Sequence, residues 1–213
     1  MERLRVSEIF FSLQGESRTV GWPTVFVRLT GCPLRCTWCD SAYAFTGGER
    51  KSLEIILDEV RRYGARFVCV TGGEPLAQAS CLSLLDRLIE EGYEVSLETS
   101  GALDVSTVNP KVIKVMDLKA PGSNEESRNL YTNIAHLTSK DQIKFVIRDQ
   151  ADYAWAKDKC QEFELEDRCE VLFSPVAGAI QAEELAEWIL KDRLKVRFQL
   201  QLHKILWGDR TGV

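Results

Sequence analysis

The sequence predicts an α/β protein with a parallel sheet, and three observations predict it. Short apolar runs rich in Val, Ile and Phe alternate with segments of helical spacing from one end of the 213-residue chain to the other. Helix caps recur at the starts of the helical segments and glycines just past their ends. The residues that follow each apolar run are polar and chemically specific, as they are where parallel strands deliver side chains to a site at their carboxyl ends.

In chain order the strand candidates are Val25–Leu29, Phe67–Val70, Val95–Leu97, Val112–Met116, Ile143–Ile147, Val171–Phe173 and Val196–Leu202. Ser52 caps a helix carrying Leu53, Ile56, Leu57 and Val60 and closed by Gly64. A second helix carries Leu82, Leu85, Leu88 and Ile89 with Gly92 beyond it, and a later one carries Leu185, Trp188 and Ile189. Strand–helix alternation implies right-handed crossovers, and about six such units fall short of a closed eight-stranded barrel. The favoured architecture is therefore an incomplete (β/α)6-type partial TIM barrel, with a doubly wound open sheet as the alternative. No repeat, linker or low-complexity tract interrupts residues 1–213, so a single domain is expected.

Composition excludes several classes. With 45% hydrophobic and 28% charged residues the chain is neither disordered nor collagen-like. No window approaches the ~18 apolar residues of a membrane span, and no signal-peptide run follows Met1, so no membrane role and a cytoplasmic location are expected. A formal net charge of −5 argues against nucleic acid as the main partner.

The seven cysteines divide into Cys32, Cys36 and Cys39, crowded into one short segment, and the scattered Cys69, Cys81, Cys160 and Cys169. An odd count without a secretory signal does not make a disulfide framework, and the scattered four read as small core residues. The segment Cys32-Pro-Leu-Arg-Cys36-Thr-Trp-Cys39 lets three thiols converge on one inorganic core. Structural zinc wants four protein ligands, and neither His136 nor His203 is near in sequence. Three thiolates on a four-iron cluster leave one iron open for a further ligand, so a [4Fe–4S] cluster is favoured over zinc and over unligated thiols. Gly72-Gly73-Glu74-Pro75, taken alone a turn, sits directly after an apolar strand and downstream of the cysteine loop.

On these residues, with Trp38 before the last cysteine, the sequence resembles the radical S-adenosylmethionine superfamily. The resemblance implies a [4Fe–4S] cluster on Cys32, Cys36 and Cys39, S-adenosyl-L-methionine bound at its open iron, and a 5′-deoxyadenosyl radical formed by reduction. It further implies an electron-donor protein such as flavodoxin or ferredoxin. Four segments narrow it to the 7-carboxy-7-deazaguanine synthases of queuosine and other 7-deazapurine biosynthesis: Glu8–Phe10 through Leu13–Glu16, Phe26–Cys32, Trp38–Ser41, and Gln201–Lys204 with Leu206–Gly208. Known members convert 6-carboxy-5,6,7,8-tetrahydropterin into 7-carboxy-7-deazaguanine and ammonia, need Mg2+, and are usually homodimers.

Carried over position by position, the family pattern implies pterin contacts at Leu13, Gln14, Gly15, Glu16, Arg28 and Thr71, with His203 and the carboxylate of Val213 closing over the substrate. It implies cofactor contacts at Trp38, Cys39, Asp40, Gly73 and Glu74, and magnesium at Ser41, where many members have Thr. Asp117-Leu118-Lys119 stands where several relatives have Ser-Pro-Lys, and Ser174 where some have Gln, so the cofactor contacts expected there depart from the pattern. Glu98 and Lys144 read equally as site residues or structural ion-pair partners. No protein side chain is expected to serve as a strong general base in the opening step, the radical itself removing the substrate hydrogen. Two rivals are a glycyl-radical activase, which shares the cysteine motif but has no reason for Gln14-Gly15-Glu16, and a noncatalytic iron–sulfur or zinc protein.

Overall fold

A computed structural model describes residues 2–208 and 210–213. Its elements are β1 (Arg3–Leu13), β2 (Pro23–Leu29), β3 (Glu49–Ser52), α1 (Leu53–Arg62), β4 (Phe67–Gly72), α2 (Cys81–Glu90), β5 (Glu94–Thr99), β6 (Ile113–Asp117), β7 (Gln142–Ile147), α3 (Gln150–Glu162), α4 (Leu165–Arg168), β8 (Glu170–Pro175), α5 (Ala182–Asp192), β9 (Arg197–Phe198) and α6 (Leu202–Trp207). One nine-stranded sheet runs β3-β1-β2-β4-β5-β6-β7-β8-β9. From β2 onward every pairing is parallel, while β1 and β3 form an antiparallel edge.

The parallel strands follow each other in sequence order without reversal, and right-handed crossovers then place the connecting helices α1 to α5 on one face. A doubly wound sheet would need a switch in strand order, so the structure is the partial barrel. Val25, Val27, Val68, Val70, Val95 and Leu97 point outward beneath α1 and α2, and Ile143, Phe145, Val171 and Phe173 point outward beneath α3 and α5. The alternate positions are left to line the interior, which is how period-2 strands build a core on one side and a site on the other.

Several elements differ from expectation. The antiparallel β1 lies outside the strands that the sequence predicts. A bulge between Val6 and Glu8 breaks its alternation, so neither half shows a long period-2 run. The last strand is only Arg197–Phe198 rather than Val196–Leu202, because the chain turns at Gln199 and Leu202 opens α6. Between β5 and β6 the chain is irregular, and between β6 and β7 short 3-10 turns such as Pro121–Ser123 and Tyr131–His136 take the place of an α-helix. The expected cap of α1 is present, with Ser52 accepting from the Ile55 amide; at α3, which is not among the helices that the sequence predicts, Asp149 accepts from the Ala151 and Asp152 amides.

The sheet does not close, and β3 and β9 remain its edges. The open side is bridged by the β1–β2 connection. The Ser17 amide donates to Gln199 Oε1 at 2.8 Å, Gln199 Nε2 returns a bond to the Ser17 carbonyl at 3.0 Å, and the Leu202 amide donates to the Gly15 carbonyl at 2.9 Å. This connection thus holds Gln14, Gly15 and Glu16 at the mouth of the barrel.

Candidate active site

Two joined cavities open at the carboxyl ends of the strands, of about 330 Å³ and 150 Å³. The larger is bordered by all three clustered thiols, Cys32, Cys36 and Cys39, and by Asp40 and Ser41 that follow them. Leu13, Gln14, Gly15 and Glu16 border it from the β1–β2 connection, and Arg28, Thr71 and Gly73 from β2 and β4. His203 and Val213 reach it from the chain's far end. The smaller cavity is bordered by Trp38 and Leu118, and Cys36, Cys39, Asp40, Asp117 and Lys119 face both.

The bulge in β1 decides the first polar contact. Without it Glu8 would point outward; with it Glu8 falls opposite Arg28 on the interior face. Arg28 Nε donates to Glu8 Oε1 at 2.8 Å, and Tyr43 donates its hydroxyl to the same oxygen at 2.7 Å. The guanidinium also lies 5.8 Å from the Phe10 ring centre and 5.7 Å from that of Tyr43. Burial disfavours its charge, but Tyr43, Glu8 and Glu98 more than offset this and raise its pKa. Among the described residues its two Nη groups have no protein partner, which leaves the outer fork of a planar cation in the cavity.

The cysteine loop leaves β2 through Gly31 and is pinned to the end of β4. The Gly73 amide donates to the Leu29 carbonyl at 3.0 Å and the Glu74 amide to the Gly31 carbonyl at 2.7 Å. A Cβ at position 73 would collide with the Gly31 backbone and Cys32, so only glycine permits this approach. Burial raises all three thiols, Cys36 to about 11, against the opposing pull of Lys119. Among the described residues no three His, Cys, Asp or Glu side chains are gathered tightly enough for a single metal ion. Three soft donors around one shared space fit an iron–sulfur cluster, which spans more than an ion does. Ser41 Oγ donates to Asp40 Oδ1 at 2.8 Å at the cavity wall, a hard-oxygen pair suited to a hard cation.

Glu74 and Ser174, expected as cofactor contacts, lie behind the cavity walls. Glu74 is fully buried beneath the glycines and lines neither cavity. Its carboxylate accepts from the Ser100 amide at 2.7 Å, Ser100 Oγ at 2.5 Å, Thr99 Oγ1 at 3.0 Å and the Leu76 amide at 3.0 Å. It therefore braces the end of β5 against the Gly-Gly turn. Ser174 is buried in β8 and borders neither cavity. In its neighbourhood the smaller cavity is bordered instead by Val146 and Val176.

A polar chain runs across the floor between the cavities. Lys119 Nζ donates to Asp117 Oδ2 at 2.9 Å, Lys144 Nζ to Glu16 Oε2 at 2.6 Å, and Gln201 Nε2 to Glu16 Oε1 at 2.7 Å. Gln201 also reaches Asp40 Oδ2 at 3.1 Å. Burial works to raise the Asp40 carboxyl, but Ser41, Lys144, Gln201 and Lys204 prevail and hold it low. Two buried polar atoms in this region have no protein partner: Gln14 Nε2, a donor, and Asp117 Oδ1, an acceptor. Buried polar groups are normally satisfied, so these two mark places for ligand atoms. Glu98, which borders the larger cavity, accepts from Thr71 Oγ1 at 2.9 Å.

The contact of His203 with the β1–β2 connection requires Gly15, since a Cβ there would overlap the imidazole ring. Gly15→Ala is expected to displace His203 and α6 from the cavity mouth while leaving the cysteine loop intact. Thermal unfolding together with hydrogen exchange of 200–208 checks this; unchanged protection there would contradict it.

The match to known proteins follows this geometry. The model of the Radical SAM superfamily matches residues 26–158, from β2 into α3. A 7-carboxy-7-deazaguanine synthase from Chlorobaculum tepidum is 42% identical over 214 residues, covering 99% of this chain and 97% of its own. One from Koribacter versatilis is 40% identical, covering 98% and 99%. Among solved structures, that of QueE from Escherichia coli superposes with a TM-score of 0.77 over 93% of this chain and 94% of its own, at 24% identity. The three-thiol loop, the Gly-Gly turn pinned to it and the near full-length match to these relatives together show that the chain belongs to the 7-carboxy-7-deazaguanine synthase family of radical SAM enzymes.

Proposed function

We propose that the chain converts 6-carboxy-5,6,7,8-tetrahydropterin into 7-carboxy-7-deazaguanine and ammonia, with Mg2+ as an aid to the ring contraction. The observation that carries this reading is the pairing, in one cavity, of an Arg28 fork free to grip a carboxylate with an unpartnered Gln14 amide. Cys32, Cys36 and Cys39 would hold a [4Fe–4S] cluster, which with S-adenosyl-L-methionine would supply the radical chemistry needed at C6 of the pterin. Arg28 receives the substrate carboxylate through two parallel hydrogen bonds. Gln14 donates to an acceptor of the pterin ring, and Glu16 and Thr71 flank the ring edge. His203, with residues 210–213, closes the mouth against water.

On the cofactor side, Trp38 and Leu118 border the space suited to the nucleoside, and Asp117, whose Oδ1 has no protein partner, offers an acceptor for a ribose hydroxyl. Gly73 offers backbone atoms beside the thiols, while Glu74 acts by bracing that turn rather than by touching the cofactor. Ser41, beside Asp40, offers its oxygen to magnesium. The reading includes a homodimer in solution and a one-electron donor protein as partner. Among the described residues no helix is long and apolar enough to cross a membrane.

A labelling experiment tests the reaction. Carboxypterin deuterated at C6 is expected to pass its label into the methyl group of 5′-deoxyadenosine and into recovered adenosylmethionine. Solvent hydrogen at that methyl group, with the C6 label lost to water, would show that a protein base opens the reaction instead.

A further inference from the structure

Among the described residues Lys114, Lys119 and Lys144 are largely withdrawn from solvent and pair with carboxylates, and the settings of Lys114 and Lys144 differ. Lys114 Nζ lies 3.2 Å from Asp141 Oδ2, and the rest of Asp141 is satisfied by the Lys114 and Thr138 amides and Thr138 Oγ1. That pair borders neither cavity. Lys144 borders both. From the interior face of β7 its ammonium stands 2.6 Å from Glu16 Oε2 and 3.8 Å from Asp117 Oδ2. The first carboxylate belongs to the residue whose backbone amide donates to Gln14 Oε1 at 3.2 Å, and the second carries the unpartnered Oδ1. Burial disfavours the lysine's charge, but Glu16, Asp117 and Glu98 outweigh it and raise the pKa, so the ammonium persists.

We propose that Lys144 is a positioning residue shared by the two ligands: clamped between Glu16 and Asp117, it holds one carboxylate toward the pterin and the other toward the nucleoside of adenosylmethionine. The inference rests on the functional reading above. Its physical basis is that two carboxylates sharing a poorly hydrated floor repel each other unless a cation lies between them. Asp117 keeps Lys119 at 2.9 Å and Glu16 keeps the Gln201 amide at 2.7 Å, so each has a second support. Lys144 alone, among the described residues, contacts both. Without it each carboxylate is free to rotate toward its remaining partner and away from its ligand.

The test measures affinity by calorimetry on anaerobically reconstituted protein, with the carboxypterin and adenosylmethionine titrated separately. Lys144→Met is expected to weaken both by roughly tenfold, the size of an ordinary coupling between sites, and Lys144→Arg to recover most of each. In the double variant with Glu16→Gln, the carboxypterin losses should fall well short of additive, because both substitutions remove the same pair. Iron content and unfolding temperature separate this from a purely structural role, which would lower both while leaving the affinity of the folded fraction unchanged. Should Lys144→Met not fold, Lys144→Gln carries the same comparison.

Loss of only one affinity, additive losses with Glu16→Gln, or unchanged affinities would overturn the proposal. Wild-type protein that bound adenosylmethionine but not the carboxypterin would instead overturn the functional reading, and the shared role with it.

Discussion

Replacing Cys32, Cys36 or Cys39 with Ala is expected to abolish the broad visible absorption of the reconstituted protein and all 5′-deoxyadenosine formation. The three thiols border one cavity on a loop whose path is fixed by the Gly73 and Glu74 amide bonds to Leu29 and Gly31, so no other cysteine can substitute. Cys69 is the nearest control in kind. It is fully buried on the interior face of β4 beside Phe26, with its thiol pushed far up by burial and by Glu98. Cys69→Ala should therefore keep the spectrum; an equal loss there would remove the assignment. Because Cys36 is raised to about 11, it is a thiol at neutral pH before a cluster is bound, and cluster assembly must release a proton. Assembly should accordingly weaken as pH falls, a dependence that iron titration at several pH values reads directly.

Arg28→Met is expected to weaken carboxypterin binding by about two to three orders of magnitude, since two charge-assisted hydrogen bonds to a carboxylate are lost together. The cluster spectrum and slow cleavage of adenosylmethionine in the absence of substrate should survive, because Arg28 touches Glu8, Tyr43 and Phe10 rather than the cysteine loop. Arg28→Lys should recover only a small part, an ammonium being unable to serve Glu8 and both carboxylate oxygens at once. Isothermal titration with the intact carboxypterin and with a pterin lacking the carboxylate distinguishes the roles. If the variant discriminates between them as the wild type does, Arg28 is not the carboxylate anchor.

The linear sequence by itself determined the chemistry-bearing loop and the kind of fold. Spacing along a chain is preserved on folding, so three cysteines within eight residues must meet, and a Gly-Gly turn after a strand must lie at that strand's carboxyl end. The β/α alternation likewise dictated a parallel sheet, because each apolar strand face needs a helix to cover it. Tertiary structure decided what depends on register and on distant partners. Glu8 faces Arg28 only because of a bulge that adds a residue in β1 and not in β2. Glu74, in the most recognisable turn of the chain, is drawn under it by Ser100 and Thr99 at the end of another strand. Lys144 sat at the centre of an ordinary apolar run; its pairing with Glu16, 128 residues away, arises because the β1–β2 connection crosses the open side of the barrel. Local sequence encodes which way a side chain points relative to its neighbours, but a buried charge is defined by what stands opposite it, and that is known only once the sheet has curved.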